Sequence, residues 1–349
     1  MTQGNGSRPR VTIETVAEAA QVSRQTVTNA LRHPQRVKPE TLERVRAEID
    51  RLGYRPSLAA QAMQSQRSGA VGVELNVLGP SYHNAMMAPF LAALSVESAR
   101  HDLHMVTFGS AGDTPTLDAY EQMVQSRVVD AFVIADTHVG DPRPDWLTAH
   151  GIPFASFGRV WDDPTFTRWV DIDGHHGTAL AVDHCRKAGY ERIGYLGWPE
   201  GDAAVGDDRR EGWRDGCRRE GGELLGPQAS AVDELEAATL AAEPVVAEVG
   251  GGGAIVCGSD VLAVGVLHAA LRAGLRPGVD LGIVGFDDSE LARMHGLTSI
   301  AQPIQAVSAH VLRLVRESLS GHDGAGATGV LLQPELTARA STSGFDRSP

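Results

Sequence analysis

Between residues 11 and 67 apolar positions recur at helical spacing in short bursts divided by polar breaks. Val16, Ala19 and Ala20 form an inward face for a first helix over 13–20, with Thr12 placed to cap it. Gln21-Val22 supplies a turn. Ser23 caps a second helix over 24–31, because its hydroxyl accepts an otherwise orphaned backbone N–H; Val27, Ala30 and Leu31 point inward at offsets of three and four. Pro39 stands where a third helix begins, a position at which a missing N–H costs little. Leu42, Val45, Ile49 and Leu52 form its buried stripe and Gly53 ends it. Two short helices, a tight polar break and a third helix are the layout of an all-α helix-turn-helix head over 11–56. Residues 1–10 read as a disordered arm, and 57–68 as a short, weakly amphipathic helix that costs entropy to order.

From Gly69 the pattern changes. Short apolar runs at 70–77, 103–108, 130–135, 152–157, 192–197, 254–259 and 280–286 alternate with helical patterns at 85–100, 117–126, 174–188, 209–220, 259–273 and 303–320. Strand and helix in alternation predict parallel sheets covered on both faces. These strands are too many for one modest sheet, so 69–345 is expected to be an α/β core of two doubly wound lobes. Ligands of such sheets bind beyond the carboxyl ends of the strands.

Charge divides the chain at the same place. The net charge of -13 conceals an N-terminus, residues 1–70, with 11 Arg and Lys against 6 Asp and Glu. The basic excess, the electrostatic requirement for phosphate, is therefore confined to the helical head. On the outer face of the second helix stand Arg24, Gln25, Thr28 and Asn29, side chains suited to base edges in the major groove. Thr12, Ser23, Arg32, Arg36 and Lys38 are placed for phosphates.

The head resembles that of the LacI/GalR family of bacterial repressors. The resemblance is carried by Val11-Thr12, Val16-Ala17, Ala20, Val22-Ser23, Thr26-Val27, Val37, Glu40-Thr41, Val45, Leu52-Gly53-Tyr54 and Pro56. It implies base contacts by Arg24, Gln25 and Asn29. The family's usual Ser-Arg is here Thr28-Asn29, a departure that bears on the operator sequence. The family's hinge segment enters the minor groove with a leucine wedge; Met63 occupies that position, with Gln61 beside it.

The resemblance extends over 69–345, whose counterpart in the family is similar to periplasmic sugar-binding proteins. It implies one lobe from 69–172 plus 303–331, another from 173–302 plus 332–345, and ligand in the cleft between them. VGDDRREGWRDG (205–216) then makes Arg209 the cleft arginine, and GFDD (285–288) makes Asp287 a ligand contact with Asp288 holding the loop. Ser259 stands where the family has a ligand-contacting Asn, which leaves a bulkier ligand or a water room; Asp260 reads as a local cap, and Asp173 as a cap at the next helix. From the first lobe Tyr82, His83, Asn84, Arg159 and Trp161 follow strands at the expected cleft edge.

No GxSxG, HExxH or GxxxxGK[ST] pattern occurs, and the glycine run 250–253 precedes a strand where a dinucleotide loop would follow one. Cys185, Cys217 and Cys257 read as small core residues, and neither His175-His176 nor His101 with His104 has metal-ligand geometry. The expectation is no enzyme, no cofactor and no metal. No apolar run reaches the ~20 residues that span a bilayer, and no signal peptide is apparent, so a cytoplasmic protein without a membrane partner is expected. The reading is a homodimeric repressor that binds inverted-repeat operator DNA and is released by a sugar or polyol; corepression is the alternative sign. The rivals are a ligand-independent repressor and a cytoplasmic solute-binding protein.

Overall fold

The structure is a computed structural model that describes residues 11–54, 67–75, 84–109, 117–201, 203–218, 225–321 and 329–343. Two compact units divide the chain between Ser68 and Gly69.

The first unit contains α1 (Ile13–Ala19), α2 (Arg24–Arg32), a 3-10 turn at Pro34–Arg36 and α3 (Pro39–Leu52). The Thr12 hydroxyl accepts the Thr15 N–H at 3.4 Å and the Ser23 hydroxyl accepts the Thr26 N–H at 3.1 Å; such caps are each worth about 1 kcal/mol. Gln21 takes a left-handed φ of 52° in the tight break, and Gly53, at 64°, closes α3. Val16, Ala17, Ala20, Val27, Ala30 and Val45 form the core. Two expected positions differ. Ala19 is exposed and Ala17 takes its place, because α1 buries adjacent residues against both other helices. Leu31 is 39% exposed, one position past the inward ridge that ends at Ala30. Arg44 Nε, not foreseen from the sequence, donates to the Ala20 carbonyl at 3.0 Å and so ties α3 to the C-terminus of α1.

The second unit starts with β1 (Ala70–Leu75), α4 (Asn84–Arg100), β2 (His104–Gly109), α5 (Leu117–Gln125), β3 (Ala131–Ile134), α6 (Pro142–Ala149), β4 (Phe154–Phe157) and β5 (Trp169–Ile172). It continues through α7 (Gly174–Lys187), β6 (Ile193–Gly197), α8 (Ala204–Arg218), β7 (Leu225–Ser230), α9 (Leu235–Val249), β8 (Gly253–Cys257), α10 (Asp260–Arg272), β9 (Leu281–Asp287), α11 (Glu290–His295) and β10 (Thr298–Ala301). The chain then returns through α12 (Ile304–Leu319) and β11 (Val330–Leu332) and ends in β12 (Glu335–Thr337).

Among the described residues twelve strands form two six-stranded sheets, in the orders β11-β5-β4-β3-β1-β2 and β12-β10-β9-β8-β6-β7. All described pairings are parallel except β12 against β10. β3, β6, β8 and β9 are buried along their whole length, as strands covered on both faces must be. Each sheet carries apolar clusters on both faces. α12 packs on α4 and the first sheet, so the chain passes between lobes after Ile172, after Ala301 and after Leu332. Leu332, expected in the second lobe, pairs with Ile172 in the first sheet.

The helix expected from 209 starts one turn earlier, at Ala204, and ends at Arg218. α7 and α8 lie close together, since a Cβ on Gly212 would stand 2.1 Å from the His175 carbonyl and 2.3 Å from Thr178 Oγ1. The Thr178 hydroxyl donates to the Arg209 carbonyl at 2.6 Å. This packing sets the height of Arg209 above the second sheet.

Candidate functional site

On the outer face of α2, Arg24 and Gln25 are exposed, and Thr28 and Asn29 are half-buried. Arg24 pairs with Glu14 of α1 at 3.1 Å, and the Gln25 amide donates to the Asn29 carboxamide oxygen at 3.2 Å. The Thr28 hydroxyl turns back to the Arg24 carbonyl at 3.0 Å. The carboxamides of Gln25 and Asn29 therefore stand side by side, one turn apart, with their outward donors and acceptors facing solvent. The Thr12 and Ser23 hydroxyls are engaged as caps, and both residues are exposed beside the N-termini of α1 and α2. Arg36 and Lys38 are exposed on the segment between α2 and α3. Met63 and Gln61 lie outside the described residues, as does the side chain of Arg32.

In the second unit Arg209, Asp287 and Ser259 converge at the carboxyl ends of β6, β8 and β9. Arg209 is 4% exposed. Its guanidinium lies 3.7 Å above the Phe286 ring and 5.2 Å from the Trp198 ring, donates to the Gly258 carbonyl at 2.6 Å, and stands 3.9 Å from Asp287 Oδ1. A buried guanidinium needs a nearby carboxylate and aromatic faces to offset its desolvation. Its Nε has no hydrogen-bond partner among the described residues.

Asp287 ends β9 at a φ of 114°, and Asp288 follows at 51°. Side chains rarely adopt such angles, at a cost of order 1–3 kcal/mol each, and they tend to persist where a site needs them. Burial raises the proton affinity of Asp287; Arg209 and a hydrogen bond from the Gln302 amide oppose the rise, while the charges of Asp260 and Asp233 add to it. Asp288 holds its loop through Arg339 at 2.6 Å and Arg293 at 3.4 Å.

The Ser259 hydroxyl accepts the Leu262 N–H at 3.1 Å, capping α10, and donates to the Asp233 carboxylate. Asp260 is structural: it accepts the Ser289 N–H at 2.7 Å and the Ser299 hydroxyl at 2.6 Å. Asp173 caps α7 by accepting the His176 N–H at 2.8 Å. The three cysteines are buried and free.

From the first lobe, Arg159 and Trp161 come together but face partners already present. The Arg159 guanidinium stacks 3.8 Å above Trp161 and pairs with Asp171 at 3.0 Å. It also reaches Asp208 of α8 at 3.7 Å, an ion pair that crosses between lobes. Asp208 in turn accepts the His175 N–H at 2.9 Å. Tyr82 and His83 lie outside the described residues; Asn84 opens α4 with its side chain undescribed. The sequence reading missed Asp233 and Trp198, which the strand order brings beside Arg209, and Gln302, whose amide donates to Asp287. It also missed the buried network in which Arg143 donates to Glu74 at 3.0 Å and Asp141 at 2.7 Å and Tyr120 donates to Glu74 at 2.9 Å.

Comparison with known proteins agrees with both units. Residues 12–57 match the model of the bacterial regulatory proteins of the lacI family, and residues 182–342 match a periplasmic binding protein-like domain. The HTH-type transcriptional regulator AglR of Rhizobium meliloti is 28% identical over 97% of this chain and 96% of its own. The chain carries a LacI-family helix-turn-helix domain and a periplasmic-binding-protein-like domain. A LacI-family regulatory protein from Chloroflexus aggregans shares 29% identity with a TM-score of 0.69, over 79% of this chain and 99% of that one. The transcriptional regulator CelR in complex with cellobiose superposes with a TM-score of 0.67 at 24% identity, over 95% of this chain and 100% of its own, a likeness of fold. The protein thus joins a helix-turn-helix head to two lobes that resemble the periplasmic binding protein fold. Among the described residues no helix is long and apolar enough to cross a membrane.

Proposed function

We propose that this protein is a repressor of the LacI family that binds inverted-repeat operator DNA as a homodimer and is released from it by a small sugar or polyol. One observation carries the reading. A single chain joins an exposed helix face bearing Arg24, Gln25 and Asn29 to a buried Arg209–Asp287 pair at the strand ends of a second unit. Carboxamides and a guanidinium on a helix surface are the groups that read base edges. A guanidinium beside a carboxylate, over aromatic rings, suits a ligand that both donates and accepts through hydroxyls. The complex of the fold relative CelR with cellobiose supports a sugar as the ligand class.

In this account Arg24 and Gln25 contact bases, with Asn29 and Thr28 setting the departure from other operators. Thr12, Ser23, Arg32, Arg36 and Lys38 hold phosphates. Met63, with Gln61, wedges the minor groove and kinks the duplex. Arg209, Asp287 and the corner at Ser259 bind ligand from the second lobe, and Tyr82, His83, Asn84, Arg159 and Trp161 meet it from the first. Ligand binds more tightly when the lobes adopt one relative arrangement, and that arrangement raises the cost of folding the segment 57–68 on DNA. Without such a difference in affinity between the two states, ligand could switch nothing.

Selection of duplexes from a random pool by the purified chain, followed by sequencing, tests the DNA half. Enrichment of an inverted repeat is expected. Release of the selected duplex by one member of a sugar panel tests the sensor half. Retention of random sequences only would refute the operator reading, and a complex indifferent to every sugar would refute the effector reading.

A further inference from the structure

Asp233 lies in the connection from β7 to α9, a residue the sequence did not single out. It is half-buried where its neighbour Ser259 is 1% exposed. The Ser259 hydroxyl has one hydrogen, which it gives to the Asp233 carboxylate, and it accepts the backbone N–H of Leu262. That leaves the hydroxyl without a donor for any other group. The polar group that this corner offers is therefore the carboxylate, held at one oxygen by a side chain that is itself fixed at a helix cap.

Charge around the corner is unbalanced. Asp233 and Asp287 repel each other, and Arg209 attracts both. Asp260 stands behind Asp287 and adds its charge, although its own oxygens are taken by Ser289 and Ser299. One guanidinium thus serves two carboxylates, with the charge of a third added to Asp287. Burial raises the proton affinity of Asp233, of Asp260 and of Asp287, as expected where negative charge outnumbers positive in a dehydrated site. A phosphate or carboxylate brought here would meet this excess, whereas a hydroxyl or an ammonium group would relieve it.

We propose that Asp233 is a specificity-determining residue of the cleft, accepting a hydroxyl or ammonium hydrogen of a neutral or amine-bearing sugar and turning away sugar acids and sugar phosphates, with Ser259 as the positioning residue that holds it. The proposal rests on the sugar-effector reading and narrows it to a charge class. Ser259 and Trp198 lower the proton affinity of Asp233 through hydrogen bonds, and Arg209 lowers it through its charge. The charged groups that face Asp233 are Arg209 of α8 and Asp287 of β9. A carboxylate-dependent ligand loses affinity as pH falls through the Asp233 titration. Removing the Ser259 hydroxyl moves that loss to higher pH.

The test is calorimetric titration and thermal unfolding of the full chain with glucose, galactose, cellobiose, glucosamine and galactosamine, and with glucuronate, galacturonate and the 6-phosphates of glucose and galactose. The compounds that bind are expected to be neutral or amine-bearing, with the acid and phosphate of the same sugar at least tenfold weaker. Asp233→Ala is expected to weaken binding at least tenfold with cooperative unfolding retained, and Asp233→Asn to narrow the discrimination against the acid. Ser259→Ala should raise the pH at which affinity falls, and Ser259→Thr, which keeps a hydroxyl, should restore it. Preferred binding of an acid or phosphate by the unaltered chain would overturn the proposal. So would unchanged affinity in Asp233→Ala, which leaves the sugar-effector reading standing. If no compound of the panel binds, that reading fails and the proposal falls with it.

Discussion

Arg24 and Gln25 are the residues from which the DNA half of the account can be tested singly. Each stands exposed on α2, so neither replacement disturbs the core of the head. A good bidentate base contact contributes ~1–3 kcal/mol of discrimination. Gln25→Ala is therefore expected to cost about tenfold or more in affinity for the selected operator and to leave binding to random DNA nearly unchanged, as fluorescence anisotropy would show; equal losses on both would assign Gln25 to general contacts only. Asp287 tests the ligand half. Its folded proton affinity is raised, so its contribution to stability is full below its unfolded pKa and is lost as pH rises through the folded value. Asp287→Asn removes that loss. The variant is expected to unfold at a higher temperature than the unaltered chain at neutral pH, to show a flatter dependence on rising pH, and to lose its ligand response. A lower midpoint at neutral pH would mean that the Arg209 pairing outweighs burial. At this scale the sequence was informative only where function follows from a local run. Arg209 and Asp287 sit in recognisable segments, 205–216 and 285–288. Asp233 and Trp198 carry no such segment and join the site only because β7 and β6 are neighbours.

Among the elements, the contact of α7 with α8 decides where the arginine stands. Gly212 allows it, because any side chain there meets backbone and the Thr178 hydroxyl at well under 3 Å. Overpacking of a tight site costs ~1–3 kcal/mol or more. Gly212→Ala is expected to lower the unfolding temperature of the core by several degrees and to weaken ligand binding through displaced Arg209, with the head still binding DNA; an unchanged ligand affinity would separate that packing from the site. Elements with clean periodicity were legible: α3 spans Pro39–Leu52 as its stripe predicts, and α7 and α12 fall within one residue of their patterns. α9 was not. Its sequence LEAATLAAEPVVAEV is rich in small residues, carries Pro244, and lacks a polar stripe wide enough to mark a face. β7, LGPQAS, escaped because it is short, polar and interrupted by Gly and Pro. The head misled by one position at Leu31, where offset alone cannot tell which of two adjacent apolar residues the neighbouring helix covers.

Across the second unit, Arg159 joins the lobes by meeting Asp171 in the first and Asp208 in the second. Both pairs are largely buried, and burial raises the proton affinity of both carboxyls. Removing one partner of a buried pair costs ~3–5 kcal/mol when the other is left charged. Arg159→Ala removes both the cross-lobe pair and the ligand contact proposed for it, and is expected to weaken ligand binding by about tenfold or more, with little dependence on salt; calorimetry at two ionic strengths checks this, and unchanged affinity would take Arg159 out of the ligand site. The alternation of strands and helices made two lobes legible. The strand order, and with it the cross-lobe ion pair, depends on contacts between residues far apart in sequence, which periodicity does not encode.

The proposed regulator couples DNA and a small sugar through one chain. Coupling is reciprocal: ligand that loosens DNA by some factor must itself be loosened by DNA by the same factor. The direct measurement is the affinity of the sugar for the full chain, alone and saturated with its selected operator duplex. The sugar is expected to bind more weakly on DNA, by about 5–150-fold, matching the loss of DNA affinity caused by the sugar. Equal affinity in both states would contradict it.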